Sequence, residues 1–518
     1  MKKLLVILVI SSFGQLAAQT FEKIIETKEH RLNLFNFVQD ENDNTYFLAV
    51  RAERRNDSLF QDHLSWLYKI NNKGERIQTK QVLPSNINTT WANDTNHVML
   101  TSISIEGDSL HFIGNVRTSY PTEFAIIRVN SDLNFNFGTP TVYNPINDSI
   151  PIFLNKIEDE SRSIYFGERY NMYNGILFGR LAVFSGTSFQ EVRLFGDSLF
   201  MWNDIVQRLL RDKNGGFYSL ALEYQGPPLY FMEGPTVVKL DSSFNYVDRR
   251  RLNVPARNQS ETVVFRGFAN LDAVWLTDTT FLIGTAHSNA IDTIKGDIHL
   301  FVYDTNLTRQ TYKRLVSADT NQSSRSNCLA YDSLSGSIYF GSTQTIEVSR
   351  DLWFHGDQTA FNLIKMDKTL NILWEKTYYN EATIQLDEIE VDKNGNVTMA
   401  GTYEDSTTRA NGFNRNIYIL RVDSLGNYLR TDLTEGAIPT RDFVIYPNPV
   451  GDQLNFKKFN RFEPYHVQFF DVTGKVIKQM LWNTNETSIS TANWKPGTYI
   501  YRLVDNKGRN AEGKLIKK

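Results

Sequence analysis

The fold of this chain is decided by a strand–turn–strand unit that is clearest in the stretch Ile389-Glu390-Val391-Asp392-Lys393-Asn394-Gly395-Asn396-Val397. The Asn-Gly pair at its centre predicts a tight β-hairpin, because both central residues of such a turn must tolerate positive φ. A second copy runs from Arg208 through Asp212-Lys213-Asn214-Gly215 to Phe217. Apolar residues flank each turn, so the sequence predicts pairs of antiparallel strands at these places.

A calcium-binding loop also opens with Asp-x-Asn, but its twelfth position carries a bidentate carboxylate. For the loop that starts at Asp392 that position is Tyr403. Glu223 does occupy it for the loop that starts at Asp212, yet the chain there continues as a strand. The sequence therefore favours hairpin turns over calcium sites.

The hairpin belongs to a unit that recurs seven times with a period of about 58 residues. In every copy a short apolar strand ends in a small residue. The copies of this strand are Phe47-Leu48-Ala49-Val50, Phe112-Ile113-Gly114, Tyr165-Phe166-Gly167, Tyr218-Ser219-Leu220-Ala221, Phe281-Leu282-Ile283-Gly284, Tyr339-Phe340-Gly341 and Thr398-Met399-Ala400-Gly401. Repetition at a period of this order indicates a repeat architecture.

A second strand follows in most copies and ends in a basic residue, an apolar residue and Asp or Asn. Val238-Lys239-Leu240-Asp241 and Ile364-Lys365-Met366-Asp367 are examples. Its period-two alternation fits a strand with one buried face and the basic side chain outward, and the closing Asp or Asn starts a turn. With one strand before each hairpin and one strand after this phrase, each copy contains four strands.

Seven four-stranded units in a row resemble a seven-bladed β-propeller, in which radial packing and ring closure hide the strand edges. The resemblance implies an all-β fold for residues 20–440. Aromatic residues make up 13% of the chain, which suits strands. An open β-solenoid and two stacked sandwich domains are the alternative architectures.

The first 19 residues have the parts of a secretory signal peptide. Two lysines precede an apolar run, Leu4–Ile10, and small and polar residues lead to a predicted cleavage near Ala18 or Gln19. The run is too short to span a bilayer, which takes about 20 apolar residues. The sequence therefore predicts a cleaved leader over residues 1–19 and export of the rest.

From about Arg441 the sequence has a different character and predicts a small all-β sandwich over residues 441–518. In the order and spacing of its motifs this tail resembles the type A C-terminal sorting domain of the type IX secretion system. The matches are a Tyr-Pro-Asn-Pro opening, an Asp-x-x-Gly-Lys hairpin, a Pro-Gly-x-Tyr strand and a lysine-rich end. The residues that carry the first three matches are Tyr446, Pro447, Asn448, Pro449, Gly474, Pro496, Gly497 and Tyr499.

The resemblance implies a Bacteroidota source, passage through the periplasm, and the type IX secretion machinery as a partner. It also implies removal of the tail and a mature protein that is secreted or held on the outer cell surface. A net charge of −3 gives no basic footprint for nucleic acid, and the sequence predicts no membrane span. The role of residues 20–440 is left open by the tail.

Long loops indicate a binding face. In a four-stranded blade, the turns after the first and third strands lie on one face, and the other connections lie on the opposite face. Those other connections are long here, as from Ser342 to Ala360 and from Asn253 to Leu271, and extra length on one face indicates binding. Aromatic residues there are typical anchors for glycans and peptides, although packing onto the blades is the alternative. The candidate binding residues are Trp91, Trp202, Tyr230, Phe231, Trp353 and Phe354.

No catalytic motif accompanies these loops. The eight histidines lack metal-ligand spacing, so we expect no metal and no cofactor, and the single cysteine, Cys328, is predicted to be a buried core residue. The leading hypothesis is a secreted or cell-surface binding or adhesion propeller whose ligand is a glycan, a peptide or a protein. The alternative is an extracellular propeller hydrolase or lyase that acts on polysaccharide with carboxylates from different blades.

A further triplet recurs, as in Asp332-Ser333-Leu334 and Asp423-Ser424-Leu425. It resembles the O-glycosylation acceptor motif of Bacteroidota. Ordinary turn chemistry of Asp and Ser is the alternative interpretation.

Overall fold

The computed structural model divides the chain into two compact units, residues 1–431 and 432–518. It describes residues 21–25, 31–54, 61–82, 99–115, 124–133, 141–143, 149–159, 162–171, 176–185, 188–194, 202–225, 231–253, 271–288, 296–315, 322–323, 328–347, 358–380, 383–404, 415–428, 443–458, 465–484, 486–505 and 510–518. The predicted leader lies outside these residues. Every regular element in them is a β-strand, which confirms the all-β prediction. None of the described residues belongs to a helix with the length and apolar character needed to cross a membrane.

Seven sheets form within the described part of unit 1. Sheet 1 contains β2 (Arg31–Gln39), β3 (Thr45–Arg54), β4 (Gln61–Ile70) and β5 (Arg76–Gln81). Sheet 2 contains β6 (Met99–Glu106), β7 (Ser109–Asn115), β8 (Phe124–Asn130) and β9 (Thr141–Tyr143). Sheet 3 contains β10 (Ser149–Asp159), β11 (Arg162–Asn171), β12 (Ile176–Ser185) and β13 (Ser188–Leu194). Sheet 4 contains β14 (Trp202–Arg211), β15 (Phe217–Gln225), β16 (Phe231–Leu240) and β17 (Tyr246–Arg251). Sheet 5 contains β18 (Leu271–Trp275), β19 (Thr280–Ser288), β20 (Gly296–Asp304) and β21 (Arg309–Leu315). Sheet 6 contains β22 (Gln322–Ser323), β23 (Leu329–Asp332), β24 (Ser337–Glu347), β25 (Gln358–Met366) and β26 (Ile372–Tyr379), and sheet 7 contains β27 (Thr383–Val391), β28 (Val397–Glu404), β29 (Arg415–Val422) and β1 (Phe21–Ile25).

Neighbouring sheets contact each other mainly through their first strands, and sheet 7 contacts sheet 1 through β2. Apolar clusters occupy the spaces between sheets. The cluster between sheets 4 and 5 contains Tyr218 and Val237 from one sheet and Phe281 and Phe301 from the other. Burial of such clusters is the main favourable contribution to the folding of unit 1.

Sheet 7 joins the two ends of unit 1. β1 pairs with β29 in antiparallel register, from Phe21 opposite Arg421 to Ile25 opposite Ile417. The repeat pattern in the sequence does not locate this strand, because β1 precedes the first copy and its partner belongs to the last.

The Asp-initiated turns are hairpin turns, as predicted. In the turn between β27 and β28, Asp392 Oδ1 accepts hydrogen bonds from the backbone N–H groups of Asn394 and Asn396, at 2.7 and 2.9 Å. Asp392 Oδ2 accepts a third from Asn396 Nδ2, at 2.8 Å. The same backbone contact, from residue i to residue i+2, is made by Asp40, Asn71, Asp212, Asp241, Asp304, Asp367, Asp423 and Asp471.

The fourth position of these turns has positive φ, and its occupants are glycine, a buried apolar residue or, in the turn that Asp40 initiates, Asp43. Glycine fills it at Gly215 and Gly395, as expected from the Asn-Gly signal. Buried apolar residues fill it in several turns between third and fourth strands, where Leu307 has φ 58° and Leu370 has φ 65°. Their side chains join the clusters between sheets, so burial offsets the backbone strain.

The basic residue of the second repeat phrase points towards the next sheet, so the predicted outward orientation is wrong. Lys239 of β16 donates from Nζ to the carbonyl oxygen of Thr305 in sheet 5, at 2.7 Å. The hydroxyl of Tyr218 donates to the same oxygen at 2.8 Å, and the ammonium lies over the Tyr218 ring. Lys69 and Lys365 make the equivalent contacts with Ser131 and Ser424. These lysines tie neighbouring sheets together.

Unit 2 contains two sheets in its described residues. The first contains β30 (Phe443–Tyr446), β31 (Gln453–Lys458) and β34 (Glu486–Ser490), and the second contains β33 (Val476–Trp482), β32 (Tyr465–Asp471), β35 (Gly497–Asp505) and β36 (Asn510–Lys517). Side chains from both sheets form one apolar cluster around the buried Trp482.

Replacement of Leu307 should separate burial from backbone strain. We expect Leu307→Ala to lower the free energy of unfolding of unit 1 by about 2–4 kcal/mol, because apolar burial is lost. Leu307→Gly should cost no more than alanine does, because glycine adopts positive φ without a strain of about 1 kcal/mol. Denaturant unfolding measures both values, with Gly215→Ala as the control that adds strain without removing a side chain. A glycine variant that is clearly less stable than the alanine variant would contradict this account.

Candidate functional site

Two of the predicted binding residues lie in one row of sheet 4. Trp202 begins β14 and Phe231 begins β16, and both are register partners of Gln225 in β15. This row is at the end of the sheet from which the connection between β15 and β16 leaves. Trp91, Tyr230, Trp353 and Phe354 lie outside the described residues.

The same end of sheet 4 places two acidic residues opposite each other. Asp204 of β14 is the register partner of Glu223 of β15, two positions along from the Trp202–Gln225 pair. Directly opposed residues in an antiparallel pair have Cβ atoms about 4.5–5.5 Å apart. The backbone therefore brings an aromatic row and a pair of carboxylate residues to one edge of the sheet.

A second group of acidic residues lies on the first strands of the sheets. Asp272 of β18 is buried, and its Oδ2 accepts the N–H of Leu329 in sheet 6 at 2.8 Å. Its Oδ1 accepts the N–H of Ala273 and lies 3.3 Å from Nε of Arg208 in sheet 4. Burial raises the pKa of Asp272, and Arg208 and the two N–H groups oppose that rise. One carboxylate thus connects three sheets.

Glu388 and Glu390 of β27 likewise accept backbone N–H groups of a neighbouring sheet and so connect sheet 7 to sheet 1. Glu388 accepts the N–H of Phe37 at 2.8 Å and Nδ2 of Asn36 at 3.3 Å. Burial raises the pKa of Glu388 well above its usual range. Burial also raises the pKa of Glu390 to about 7, although the N–H of Gln39 and the nearby Arg421 favour the charged form.

The sequence analysis missed Asp272, Glu388 and Glu390, and a β-bulge explains why for Glu388 and Glu390. The register of β27 shifts between Leu386 and Glu388, and the register of β14 shifts between Val206 and Arg208. A bulge inserts one residue and re-aims the side chains after it, so simple alternation assigns them to the wrong face. In the sequence, such a residue is a polar residue that follows an interruption of the alternation between apolar and polar positions. That pattern would have indicated Glu388 and Arg208.

The contacts of Asp272 and Glu388 with neighbouring sheets are structural. Asp272 and Glu388 accept backbone N–H groups of a neighbouring sheet, which otherwise lack strand partners. Their oxygens are therefore engaged in holding sheets together rather than directed at a substrate. Within the part of the chain that the structure describes, no group of three or more His, Cys, Asp or Glu residues is placed to hold a metal ion.

Other predicted features have clear positions. Cys328 is fully buried in the apolar cluster between sheets 6 and 7, which confirms the core prediction. In two of the described Asp-Ser-Leu triplets, those of sheets 6 and 7, Asp332 and Asp423 accept the N–H groups of Leu334 and Leu425 as turn-forming residues. Turn chemistry accounts for the Asp of these two triplets, and glycosylation of the serines stays a prediction.

The opening motif of the tail contacts its last strand. Asn448 donates from Nδ2 to the carbonyl oxygen of Lys514 and accepts the N–H of Ile516 on Oδ1, both at 2.9 Å. The ammonium of the buried Lys517 donates to the carbonyl oxygen of Gly451 at 2.6 Å and pairs with Asp452 at 3.1 Å. Tyr446, Pro447 and Pro449, which surround Asn448, are exposed.

The other sorting residues form the turns of the second sheet of unit 2. Gly474 has φ 82° in the turn that Asp471 initiates between β32 and β33. Gly497 follows Pro496 and begins β35, and Tyr499 donates its hydroxyl to the carbonyl oxygen of Lys495 at 2.7 Å. Each motif therefore has a defined role in the fold of the tail.

The comparisons with known proteins identify the tail. Residues 444–518 match the family described as a secretion system C-terminal sorting domain. The tail is a sorting domain of the type IX secretion system, and that system exports the protein to the cell surface or the extracellular space. A search of curated proteins finds no match for the chain.

Several solved structures are similar to the chain at low sequence identity. Drosophila semaphorin 2a is 10% identical, with 96% of this chain and 97% of that chain covered and a TM-score of 0.46. A fungal alcohol oxidase in complex with copper is 11% identical, with 96% and 98% covered and a TM-score of 0.43. The β-propeller domain of the trilobed protease from Pyrococcus furiosus is 12% identical, with 79% and 99% covered and a TM-score of 0.41.

Glu390 should make the stability of unit 1 depend on pH. Its pKa of about 7 in the folded chain lies above the ordinary 4.5, so the folded state binds its proton more tightly than the unfolded state does. The resulting loss of stability is absent below about pH 4 and complete above about pH 7, where it reaches roughly 3 kcal/mol. Glu390→Gln should therefore flatten the decline in unfolding free energy between pH 5 and pH 8, measured by denaturant titration. An unchanged pH profile in this variant would refute the assignment.

Proposed function

We propose that this type IX-exported protein uses unit 1 outside the cell as a seven-bladed β-propeller that binds a glycan, a peptide or a protein. The propeller assignment is supported by the seven described sheets, by the contact of each sheet with the next, and by the β1–β29 pairing. In this proposal residues 1–19 are the leader, residues 20–440 are the propeller, and residues 441–518 are a sorting sandwich.

One observation carries the binding proposal: Trp202 and Phe231 occupy a single row at the long-loop end of sheet 4. Aromatic residues supply large, rigid contact surfaces for sugars and peptides at low entropic cost. The buried carboxylates of Asp272 and Glu388 are engaged between sheets, which leaves the loop end as the better candidate for contact with a ligand. Adhesion at the cell surface is one use of such a site.

The pairing of Asp204 with Glu223 favours the second candidate, a hydrolase or lyase that acts on polysaccharide. Glycoside hydrolysis needs two carboxyl groups on either side of the scissile bond. Asp204→Asn and Glu223→Gln separate the two proposals. If the site is catalytic, both variants should keep ligand affinity within a few-fold of the parent value and should abolish turnover of the polysaccharide. If the site only binds its ligand, the parent protein itself should show no turnover.

Export should depend on the folded tail. Deletion of residues 441–518 should leave most of the protein in the periplasm, as measured by immunoblots of cell fractions and medium. Asn448→Ala should weaken the tail by about 1–3 kcal/mol, because the last strand loses two hydrogen bonds, and should lower export of the full chain. The matched control is Asn483→Ala, at an exposed position, which should export normally. Undiminished secretion of the deleted chain would refute this prediction.

Ligand binding should depend on the aromatic row. Residues 20–440 are screened on a glycan array and in pull-downs from culture medium, and the affinity of the best ligand is measured by calorimetry. Trp202→Ala and Phe231→Ala should each weaken that affinity at least about tenfold without changing the melting temperature. Tyr246→Ala is the control, because this exposed tyrosine begins β17 at the other end of sheet 4. Equal losses in all three variants would contradict the location of the site.

A further inference from the structure

The edge strands of sheets 4 and 5 carry an unusual concentration of positive charge. β17 and β21 each lie at the edge of a four-stranded sheet, and together they contain six basic residues and one acidic residue. The whole chain, in contrast, has 55 basic and 58 acidic residues. The two edges therefore form a local positive region on a protein whose net charge is slightly negative.

Two of the six basic residues have structural partners. Lys313 donates from Nζ to the carbonyl oxygen of Leu370 in sheet 6, and Arg314 donates from Nε to the buried Asp297 at 2.6 Å. The other four basic residues are all exposed. We define the basic edge as these four residues: Arg249, Arg250, Arg251 and Arg309.

The basic edge brings guanidinium groups from both sheets to one place. Arg250 is the register partner of Val237, and Arg309 is the register partner of Tyr303. Both partners belong to the apolar cluster between sheets 4 and 5. Burial raises the pKa of Tyr303, and the charges of Arg309 and Arg250 oppose that rise. The two guanidinium groups therefore act on the same hydroxyl, at the edge of the gap between the sheets.

Both of these guanidinium groups can bind an anion. Arg309 lies over the ring of Tyr312, 5.8 Å from the ring centroid, which supports the cation while its N–H donors stay in their own plane. Arg250 lies 3.7 Å from Asp248, and both of these side chains are exposed. An exposed ion pair is screened by solvent and contributes little, so an anionic ligand can replace Asp248.

Protection of the sheet edge explains only part of this charge. Charged residues on an exposed edge strand prevent pairing with another strand, and β26, the edge strand of sheet 6, carries one glutamate and one lysine. Mixed charges of this kind would protect β17 equally well. Three consecutive arginines and a fourth on the next sheet instead match a ligand with several negative groups, because a guanidinium binds an oxyanion through two donors at once.

The arrangement of the charges favours a linear polymer. Arg249 and Arg251 are two positions apart on one strand, which separates their Cα atoms by about 7 Å along it. The basic edge is thus a row of charges, whereas a membrane presents a plane of charge. The sorting domain exports the protein to the cell surface or the extracellular space, where the ligand must be found.

We propose that the basic edge is a binding site for an acidic polysaccharide, whose sugars carry carboxylate or sulfate groups. The inference goes beyond the ligand binding proposed at the row of Trp202 and Phe231, and it does not depend on that binding.

The test measures binding of the chain of residues 20–518 to polygalacturonate, dextran sulfate and neutral dextran by calorimetry. The chain should bind at least one of the two acidic polymers, should bind it more weakly at higher salt, and should not bind neutral dextran. Arg250→Ala combined with Arg309→Ala should weaken this binding at least about tenfold without changing the melting temperature. A chain that binds neither acidic polymer would overturn the proposal.

Two control variants test the location of the site. Arg76→Ala combined with Lys80→Ala removes the same charge from β5, the edge strand of sheet 1, and should leave the affinity unchanged. Trp202→Ala should also leave it unchanged. An equal loss in the β5 variant would show diffuse attraction, and a loss in Trp202→Ala would place the polymer at the long-loop end of sheet 4. Either result would overturn the proposal.

Two other ligand classes carry similar charge and are tested with the same variants. They are a single-stranded DNA oligonucleotide and vesicles of phosphatidylglycerol. Tighter binding of either one than of both acidic polysaccharides, with the same loss in the Arg250 and Arg309 double variant, would show that the ligand is not a polysaccharide.

A second measurement needs no variant. Phenylglyoxal labels exposed arginines of the complete chain, and mass spectrometry locates the labels. The bound acidic polysaccharide should protect Arg250 and Arg309 from labelling and should leave Arg76 unprotected. Equal labelling of the three arginines in the presence of the polymer would likewise overturn the proposal.

Discussion

The arrangement of unit 1 depends on one set of backbone hydrogen bonds, those between β1 and β29. The other sheets join segments that are close in the chain, so their closure costs little entropy. The β1–β29 pairing instead joins the two ends of the unit and covers the apolar cluster that Phe21 and Ile25 share with sheet 1. It also removes a free edge of β29, which otherwise presents unpaired N–H and C=O groups to any other strand.

The first strands face a related constraint. Each one has an edge that no strand of its own sheet covers, and a buried N–H group without an acceptor costs free energy. Glu388 and Asp272 supply acceptors to such groups across the gap between sheets. The N–H groups in turn stabilise carboxylates whose burial is expensive. Acidic residues can therefore stand in the most buried strands of this fold without being catalytic.

Local patterns in the sequence predicted some of this structure and not the rest, for physical reasons. The turns at Asp212 and Asp392 were predictable because the dipeptide Asn-Gly strongly favours a tight hairpin turn. The turn at Leu307 was not, because leucine at positive φ contradicts local preference and is tolerated only through burial between sheets. The alternation of apolar and polar residues likewise predicted the strand that carries Lys239. It did not predict the hydrogen bond from Lys239 to the carbonyl oxygen of Thr305, because that contact depends on a neighbouring sheet.

The same limit applies to the candidate site. Aromatic residues in long loops were predictable from composition, but the common row of Trp202 and Phe231 depends on the register that both share with Gln225. Register is a property of paired strands and includes the bulges that shift it. A single sequence shows neither, so the acidic pair of Asp204 and Glu223 emerged only from the fold.

The opening motif of the tail has one residue that contacts the last strand and others that stay exposed. Both polar atoms of the Asn448 amide are used on the last strand, at Lys514 and Ile516. These two hydrogen bonds fix the amide of Asn448 against the last strand. Tyr446 and the two flanking prolines remain exposed, held in place by that amide. The exposed residues of the opening motif therefore lie on a fold in which the first and last parts of the tail are joined.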